Sequence, residues 1–472
     1  MASRPPHATA TRISDAGVRA TALARLIALA GAPLSVYLAA TRLQPERQGM
    51  YFVAVNVLAV AQLFEIGLGS TVVQFVSHSW PALRRERGGA LSGDATALNA
   101  FHAVLGGARR WYGRAAAAFL VVAGGGGLWL FRGREGEPAA TFVLVWLTFT
   151  ACVAAYLALV PLLAATEGTG DLLGVQRMRA WQAAAVLAAL WTGILRGDPA
   201  RAALLAAAAQ LLVAALWLGT RHRELTRHRE LTRHRELTRH RELTHPAVMP
   251  ATASGSPVGP YQAEQRRSAA FWLALWAGPQ LLTPIALVAS RGAEAGRLGV
   301  TLAIALAPVT LSTAWLHGHF PSYGALVAMG RLREFDALAR RATVGAVTVF
   351  GLGAVAVISA VVALPGVLPG LAQRVLPLPS LLALLVGALV SLLVQAMAGW
   401  LRAFRDEGIS GPVVIGAAAT LCVSAFAGAS GNVERLVWGY AAASAGVALP
   451  VAFAHYRRVR RSRLRLDDAE RA

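Results

Sequence analysis

The chain has 472 residues, of which 56% are hydrophobic and only 15% are charged, and its mean hydropathy is +0.51. A soluble protein of this length needs a much larger share of charged surface, so this class is excluded. The net charge of +21 comes entirely from arginine, because the sequence contains no lysine. The two cysteines, Cys152 and Cys422, lie inside apolar stretches and indicate neither a disulfide framework nor a metal site.

Apolar runs recur along the whole chain, and each is about 20 residues long, enough to cross about 30 Å of hydrocarbon as a helix. A helix satisfies its own backbone hydrogen bonds in lipid, whereas a β-barrel requires short segments of alternating polarity, which this sequence lacks. The pattern predicts an all-α polytopic membrane protein with about twelve transmembrane helices. The predicted spans are 18–40, 51–76, 114–131, 141–165, 180–196, 201–219, 269–290, 298–320, 343–368, 379–401, 411–428 and 434–455.

Arginine is unevenly divided between the two sides of these spans. The connection after span two, the connection after span six and the C-terminal tail are rich in arginine, whereas the intervening connections carry fewer. The positive-inside rule therefore predicts that both termini are cytoplasmic. The expected location is a bacterial inner membrane. Because this rule accounts for the basic charge, nucleic acid is not an expected partner.

The longest polar segment divides the spans six and six, which is typical of two-lobed transporters. We therefore predict four regions: an N-terminal lobe at 1–220, a basic cytoplasmic linker at 221–268, a C-terminal lobe at 269–456 and a basic tail at 457–472. The linker opens with four copies of RHRELT. A six-residue period turns each leucine by about 240° around a helix, so no apolar stripe forms. We interpret the repeat as a duplicated, solvated helix extending span six; the functional alternative is an anionic-lipid patch.

Two ionisable residues lie inside apolar spans, where such groups cost several kcal/mol unless they are paired or wetted. Arg25 in span one and Glu65 in span two lie at similar depths, so they can pair across adjacent helices. In the functional interpretation Arg25 binds an anionic group such as a pyrophosphate, and Glu65 responds to protons or cations. In the structural alternative Arg25 snorkels to the interface and Glu65 hydrogen-bonds between helices.

Span seven contains the sequence GPQLLTP, in which Pro279 and Pro284 remove backbone donors and Gly278 adds freedom. Broken spans are places where transporters bind cargo or bend, so we predict a hinge here, with Gln280 facing the substrate cavity. The alternative is a kink that serves packing only. Gln62 joins Arg25, Glu65 and Gln280 in the predicted substrate site. Weaker polar candidates in span two are Asn56 and Gln74, which could instead join helices together.

The sequence carries no motif for a cofactor. Gly124 to Gly127 lie inside an apolar run without the lysine and hydroxyl residue of a phosphate loop, so we interpret them as sites of close helix packing. No cofactor and no metal are expected. No extracytoplasmic connection is long enough to form a catalytic domain, and the prediction is that the protein is not an enzyme.

Three stretches resemble a known family in the same order along the chain. They are QLFEIGLGSTVVQFVSH at 62–78, LALVPLLAATEGTGDLLGVQRMRAWQ at 157–182 and GRLGVTLAIALAPVTLSTAWLHGHFPSYGALVAMGRLREFDALARR at 296–341. These resemble segments of polysaccharide and O-antigen flippases, which share a superfamily with the multidrug-and-toxin extruders (MATE). The resemblance covers most of residues 15–345, and the last four spans match in layout.

This resemblance implies a MATE-like, V-shaped transporter whose central cavity opens alternately to each side. The implied cargo is an undecaprenyl-diphosphate-linked oligosaccharide for surface glycans such as the O-antigen of lipopolysaccharide. Membrane lipid, a glycan polymerase and glycosyltransferases are the implied partners. Positive residues often line the cavity in this family, which fits Arg25. The chain departs from the family in having few other basic residues inside its spans and no acidic residue in span seven.

Other membrane classes remain as alternatives. A MATE-like drug exporter shares the fold, but the acidic residue that such exporters use in span one is missing. A major-facilitator exporter also has twelve spans, but its short patterned loop after span two is replaced here by a long one. A glycosyltransferase requires external acidic residues, for which only Glu135 and Glu137 are available. A scaffold for glycan assembly is the fourth alternative.

Overall fold

The structure is a computed structural model that describes twelve ranges of the chain. These are residues 31–63, 69, 72–73, 76, 83–85, 91–131, 139–169, 171–226, 258–290, 292–328, 330–404 and 408–471. The predicted spans one and two lie partly outside these ranges. Within them, residues 31–42 are helical, and α1 covers Pro45–Leu63.

The remaining elements are helices joined by short turns, apart from one small hairpin. In chain order they are β1 Leu83–Arg85, β2 Leu91–Gly93, α2 Ala95–Phe119, a π-helix Leu120–Gly125, α3 Gly126–Leu130, α4 Ala139–Gly168, α5 Leu172–Leu195, α6 Pro199–Thr226, α7 Val258–Gln280, α8 Leu282–Ala289, α9 Gly292–Ala328, α10 Leu332–Val367, α11 Pro369–Ala372, α12 Leu378–Arg402, α13 Ser410–Gly428, α14 Val433–Ala443, a second π-helix Ser444–Ala448, and α15 Leu449–Arg471.

Nine helices in the described ranges are long and apolar enough to cross a membrane, and the bent pair α7–α8 makes a tenth. These ten coincide with predicted spans three to twelve, so the predicted all-α, multi-pass membrane fold is confirmed. Exposed tryptophans support the same conclusion, because Trp129, Trp181, Trp315 and Trp438 are 68%, 74%, 49% and 52% exposed. Such rings prefer the interface between lipid and water.

Several helices extend beyond the apolar runs from which the spans were predicted. Helix α2 begins at Ala95, well before predicted span three, because the Asp94 side chain caps it by accepting from the Ala97 amide at 3.0 Å. A short antiparallel hairpin precedes it, pairing Leu83 with Gly93 and Arg85 with Leu91. The hairpin was not predicted, since three-residue strands in a polar connection leave no alternating pattern.

The chain divides into two compact units. The first comprises the ranges 1–32, 58–193 and 201–265, and the second comprises 33–57, 194–200 and 266–472. In the first unit α4 packs against α2, and its aromatic residues Trp146 and Phe149 are each 1% exposed. An added Cβ at Gly127 would lie 2.1 Å from Trp146. The indole Nε1 of Trp146 donates to the Ala123 carbonyl of the first π-helix at 3.0 Å. Close packing is thus present at Gly127, whereas no atom lies within 4 Å of a Cβ added at Gly125 or Gly126.

The second unit is built around α12. In the most apolar stretch of each helix, 67% of the residues of α12 are buried, compared with 6% for α10. Helix α12 therefore forms the centre of this unit, where it packs against α9, α10, α14 and α15, and α10 is left exposed to lipid. Because α12 is apolar on every side and ends in Arg402, it suits a position enclosed by other helices.

Residues 33–57 pack within the second unit through glycines and one buried amide. Added Cβ atoms at Gly296 and Gly299 would lie 2.7 Å from Gln48 and 2.3 Å from Phe52. The fully buried Gln48 donates through Nε2 to the carbonyls of Ala39, Ala40 and Leu43 at 3.1 to 3.3 Å. One side chain thus satisfies the end of the preceding helix, whose last carbonyls have no helical partner.

The close approach of α9 to Phe52 yields a stability prediction. Replacing Gly299→Ala forces its new Cβ against the Phe52 ring and should cost about 1–3 kcal/mol, as overpacking does elsewhere. The matched control is Gly351→Ala on lipid-facing α10, where no atom lies within 4 Å of an added Cβ. Thermal unfolding of the purified variants in detergent measures both. Equal melting temperatures for the two variants would contradict the packing described.

Candidate functional site

The most irregular part of the second unit is the break between α7 and α8. The two helices meet at Leu281 and are bent by 42°. Helical backbone hydrogen bonds continue on either side of the break. The Leu281 amide donates to the Ala277 carbonyl at 3.1 Å, and the Ile285 amide donates to the Leu281 carbonyl at 3.0 Å. Pro279 and Pro284 supply no N–H, so the carbonyls four residues earlier, at Leu275 and Gln280, lose their usual donors.

A side chain replaces one of these missing donors. The Asn56 amide nitrogen of α1 donates to the Gln280 carbonyl at 2.9 Å. An unpaired carbonyl in a water-poor interior is costly, so this contact stabilises the bend at the position where Pro284 creates the need. Asn56 was a weaker candidate in the sequence, and the residue expected to present its side chain, Gln280, makes this contact through its backbone.

A small cavity lies beside the break, inside the second unit. Its volume is about 50 Å³, which is more than one water molecule needs. Four helical segments surround it: α7, α12, α13 and α14 with its π-helix. Its lining residues are Ala274, Leu275, Gly278, Pro279, Val390, Ser391, Val394, Val413, Ala417, Thr420, Tyr440, Ser444 and Ala448.

The polar groups of this cavity form a hydroxyl cluster around Tyr440. Tyr440 is 2% exposed, and its hydroxyl hydrogen-bonds the side chains of Ser391 and Ser444. An added Cβ at Gly387 would lie 2.1 Å from the Tyr440 ring, so this glycine makes room for it. Thr420 donates to the Gly416 carbonyl at 2.8 Å. Hydroxyls with satisfied donors can hold water or a neutral polar group, but none is an acid or base near neutral pH.

Both irregular segments of this unit border the cavity. The break at Gly278 and Pro279 lies on one side, and the π-helix from Ser444 to Ala448 lies on another. Close-packed interiors contain few voids of this size, and π-helices occur frequently at functional sites. The cavity therefore provides space next to two helices whose backbones are already irregular, an arrangement suited to a change in helix bend.

Most of the predicted substrate residues cannot be compared with this cavity, because the structure does not describe them. Arg25 and Glu65 lie outside the described residues, so their pairing stays a prediction. Gln62 lies in α1, but its side chain is outside the described part of the structure. Gln280 is half-buried at the end of α7 and is not among the residues that line the described cavity. Among the residues that the structure describes, no group of three His, Cys, Asp or Glu side chains could hold a metal ion.

Sequence analysis missed the hydroxyl cluster. Ser391 lies on a helix far from Tyr440 and Ser444 in the chain, and single hydroxyls inside apolar spans are ordinary. The small residue Gly387, one turn before Ser391 on α12, is the only local sign of the close approach by Tyr440.

The Asn56 contact can be tested by a double-mutant cycle. Asn56→Ala should lower stability by about 1 kcal/mol, because it leaves the Gln280 carbonyl without a donor. In a Pro284→Ala background, Asn56→Ala should lower the free energy of unfolding much less. The new backbone N–H at position 284 can then donate to the Gln280 carbonyl. Unfolding free energies in mixed detergent measure the coupling. Equal costs in both backgrounds would show that the amide and the proline act independently.

No protein-family profile matches the sequence, and no curated protein matches it significantly. Solved structures do match. The chain is similar to an inward-facing multidrug resistance MATE family transporter of the MOP superfamily, with 12% identity over 94% of this chain and 95% of that chain and a TM-score of 0.55. It is also similar to a MATE protein in complex with MaL6, with 13% identity over 98% of both chains and a TM-score of 0.56.

A third similar structure is the lipid II flippase MurJ in an inward closed conformation. It has 10% identity to this chain and a TM-score of 0.55, and the match covers 93% of this chain and 87% of MurJ. At this level of identity the similarity concerns the backbone fold and not the residues of any site. The chain therefore has the MATE-like fold that these transporters and this flippase share.

Proposed function

We propose that this protein translocates a lipid-linked oligosaccharide across the membrane by alternating access, for assembly of a cell-surface glycan. The observation that carries the proposal is the fold, which matches drug exporters and a lipid flippase over almost the whole chain. The three stretches that resemble polysaccharide flippases favour a glycan cargo within that fold. A transporter fold also supports a role that is not enzymatic.

The second unit supports movement of its helices. The span is broken at Leu281, shortly after Gly278 and Pro279, and a cavity lies between these two residues and helices α12 and α13. In this proposal Gly278, Pro279 and Pro284 act as a hinge, and the bend between α7 and α8 changes as the protein alternates. The Asn56 contact to Gln280 then holds one of the bent states. Hinge residues of this kind absorb backbone changes at the ends of elements.

Cargo recognition is assigned to the N-terminal lobe. Helices α7 and α8 contain no carboxylate between residues 265 and 289, and the cavity is lined by hydroxyls and apolar groups. Arg25 is suited to bind the diphosphate of an undecaprenyl-linked glycan, because guanidinium forks match phosphate oxygens. Glu65 and Gln62 belong to the same predicted substrate site. The lobes are proposed at 1–220 and 269–456.

The proposed setting is a bacterial inner membrane with both termini in the cytoplasm. The lipid tail of the cargo stays in the bilayer, and a glycan polymerase and glycosyltransferases act before and after translocation. The linker at 221–268 then lies on the side where the precursor is made. Only the first RHRELT copy falls in the described part of this linker, where it continues helix α6 to Thr226.

Export of a small molecule is the second candidate function. It is favoured by the multidrug MATE transporters among the similar structures. The two candidates differ in what mutation of Arg25 should change, since a cationic or neutral drug does not require a guanidinium partner.

The proposal predicts a specific defect for Arg25→Ala. Cells that depend on this variant should lose surface glycan and accumulate lipid-linked precursor in the inner leaflet, because the diphosphate loses its cationic partner. Arg25→Lys should retain part of the function, since charge remains without the planar fork. The measurements are glycan blots and a leaflet-specific assay of the precursor.

The matched control for this prediction is Arg42→Ala, which removes an exposed arginine just after the end of predicted span one. It should leave surface glycan unchanged, and all variants should be present in the membrane in equal amounts. Normal glycan in Arg25→Ala would remove this residue from the mechanism. Normal glycan together with new drug susceptibility would support the exporter instead.

A further inference from the structure

An ion pair joins three helices at one end of the second unit. Arg460 of α15 contacts Asp336 of α10 in a bidentate arrangement, with Nε to Oδ1 at 2.9 Å and Nη2 to Oδ2 at 2.6 Å. The Trp400 indole of α12 donates to the same carboxylate at 3.3 Å. The two partners are 38% and 24% exposed. Paired guanidinium and carboxylate forks fix orientation as well as distance, so the Asp336–Arg460 contact links α10 to α15 at this point.

Aromatic packing holds the same end of the unit rigid. Phe335, which is fully buried, contacts Tyr323 and Trp400 with ring centroids 5.4 Å apart in each case. Trp400 also packs against Phe404 at 4.8 Å and Tyr456 at 5.5 Å. Burial raises the pKa of Tyr323 to about 12, so this phenol stays neutral. The ion pair is thus mounted on a framework whose side chains have little freedom.

Four exposed arginines lie on the membrane side of this ion pair. Arg340 and Arg341 follow Asp336 by about one turn on α10, and Arg457 and Arg458 precede Arg460 by about one turn on α15. The two helices run in opposite directions along the chain, since α10 leads into its apolar stretch and α15 leads out of one. Both arginine pairs therefore project at the same level, and we call them the arginine belt.

The level of the arginine belt is set by the uncharged stretches next to it. Residues 342–367 of α10 and residues 436–454 leading into α15 contain no Asp, Glu, Lys or Arg. The belt begins directly where these stretches end, which is the depth of lipid headgroups when the stretches fill the hydrocarbon. The guanidinium groups consequently lie where the phosphates of a bilayer lie.

No carboxylate in the described part of the chain forms an ion pair with the arginine belt. Asp336 forms an ion pair with Arg460, and Glu334 forms one with Arg331 through two hydrogen bonds at 2.5 and 2.8 Å. Arg457 lies over the Phe453 ring of its own helix at 5.4 Å, a contact that leaves guanidinium N–H groups available. Four positive charges therefore lie on two helices that the Asp336–Arg460 ion pair links.

We propose that the arginine belt, Arg340 and Arg341 with Arg457 and Arg458, is a binding site for anionic phospholipid headgroups of the surrounding leaflet. Basic clusters beside transmembrane helices on one side of the membrane recognise such lipids, and each arginine near the surface adds to the attraction. Because the Asp336–Arg460 ion pair links the two helices that carry these pairs, we expect a headgroup with two phosphates to contact both of them. The site is separate from the proposed cargo path and does not depend on it.

The test uses the full-length protein in detergent and cardiolipin as the probe. Native mass spectrometry gives an apparent dissociation constant for cardiolipin and, in parallel, for phosphatidylcholine. The variant Arg340→Gln, Arg341→Gln, Arg457→Gln, Arg458→Gln should bind cardiolipin about tenfold more weakly, because four near-surface charges are lost. Phosphatidylcholine binding should be unchanged.

The matched control removes four other exposed arginines from the first unit: Arg109→Gln, Arg110→Gln, Arg114→Gln and Arg177→Gln. It has the same net charge and retains the RHRELT repeats, so a drop of less than about threefold is expected for cardiolipin if the belt is a specific site. Equal losses in the two variants would reduce the effect to general charge attraction and overturn the proposal.

Two further outcomes would also overturn it. Displacement of cardiolipin by millimolar inorganic phosphate would point to a free-anion site, and displacement by an acidic polypeptide would point to a protein partner. Melting temperatures of both variants in phosphatidylcholine nanodiscs verify folding. A belt variant that melts like the parent there, but no longer gains stability when cardiolipin is added, supports the site independently of mass spectrometry.

Discussion

The structure of the second unit depends on one constraint, which is that a backbone carbonyl in hydrocarbon must find a donor. Two prolines in α7 and α8 remove two donors within one and a half turns, and the helix axis bends there. One open carbonyl is satisfied by an amide from another helix, and the other belongs to a residue that lines a cavity. The bend is thus held in part by a side-chain contact from another helix, beside the backbone hydrogen bonds that continue through Leu281.

Single polar side chains also satisfy backbone groups at other helix ends. Gln48 satisfies three carbonyls after residues 31–42, and Asp94 caps the start of α2. Between these polar contacts, helices approach closely where glycines face large side chains, as Gly127 faces Trp146 and Gly299 faces Phe52. Membrane helices associate mainly through dispersion contacts and a few hydrogen bonds, because the hydrophobic effect does not drive helix association within lipid.

Much of this fold could be predicted from the sequence, because apolar runs bounded by arginine are strong local signals. The break at GPQLLTP was equally local, since proline acts within four residues of itself. The β1–β2 hairpin, the early start of α2 and the Tyr440 cluster could not be predicted. The first two depend on capping and pairing outside the apolar pattern, and the third joins residues from α12, α14 and a π-helix. Arg25 and Glu65 stay predictions, since they lie outside the described ranges.

The length of α10 has a further consequence. It has 36 residues, or about 54 Å of helix at 1.5 Å per residue, which exceeds a hydrocarbon core of about 30 Å. Only 6% of its apolar stretch is buried by protein, so most of this stretch faces lipid, although α9 packs along it. Such a helix adjusts to hydrophobic mismatch by tilting, while its first turns are pinned through Asp336. The tilt of α10 should therefore depend on the thickness of the host bilayer, and membranes of different thickness should give different tilts for the same chain.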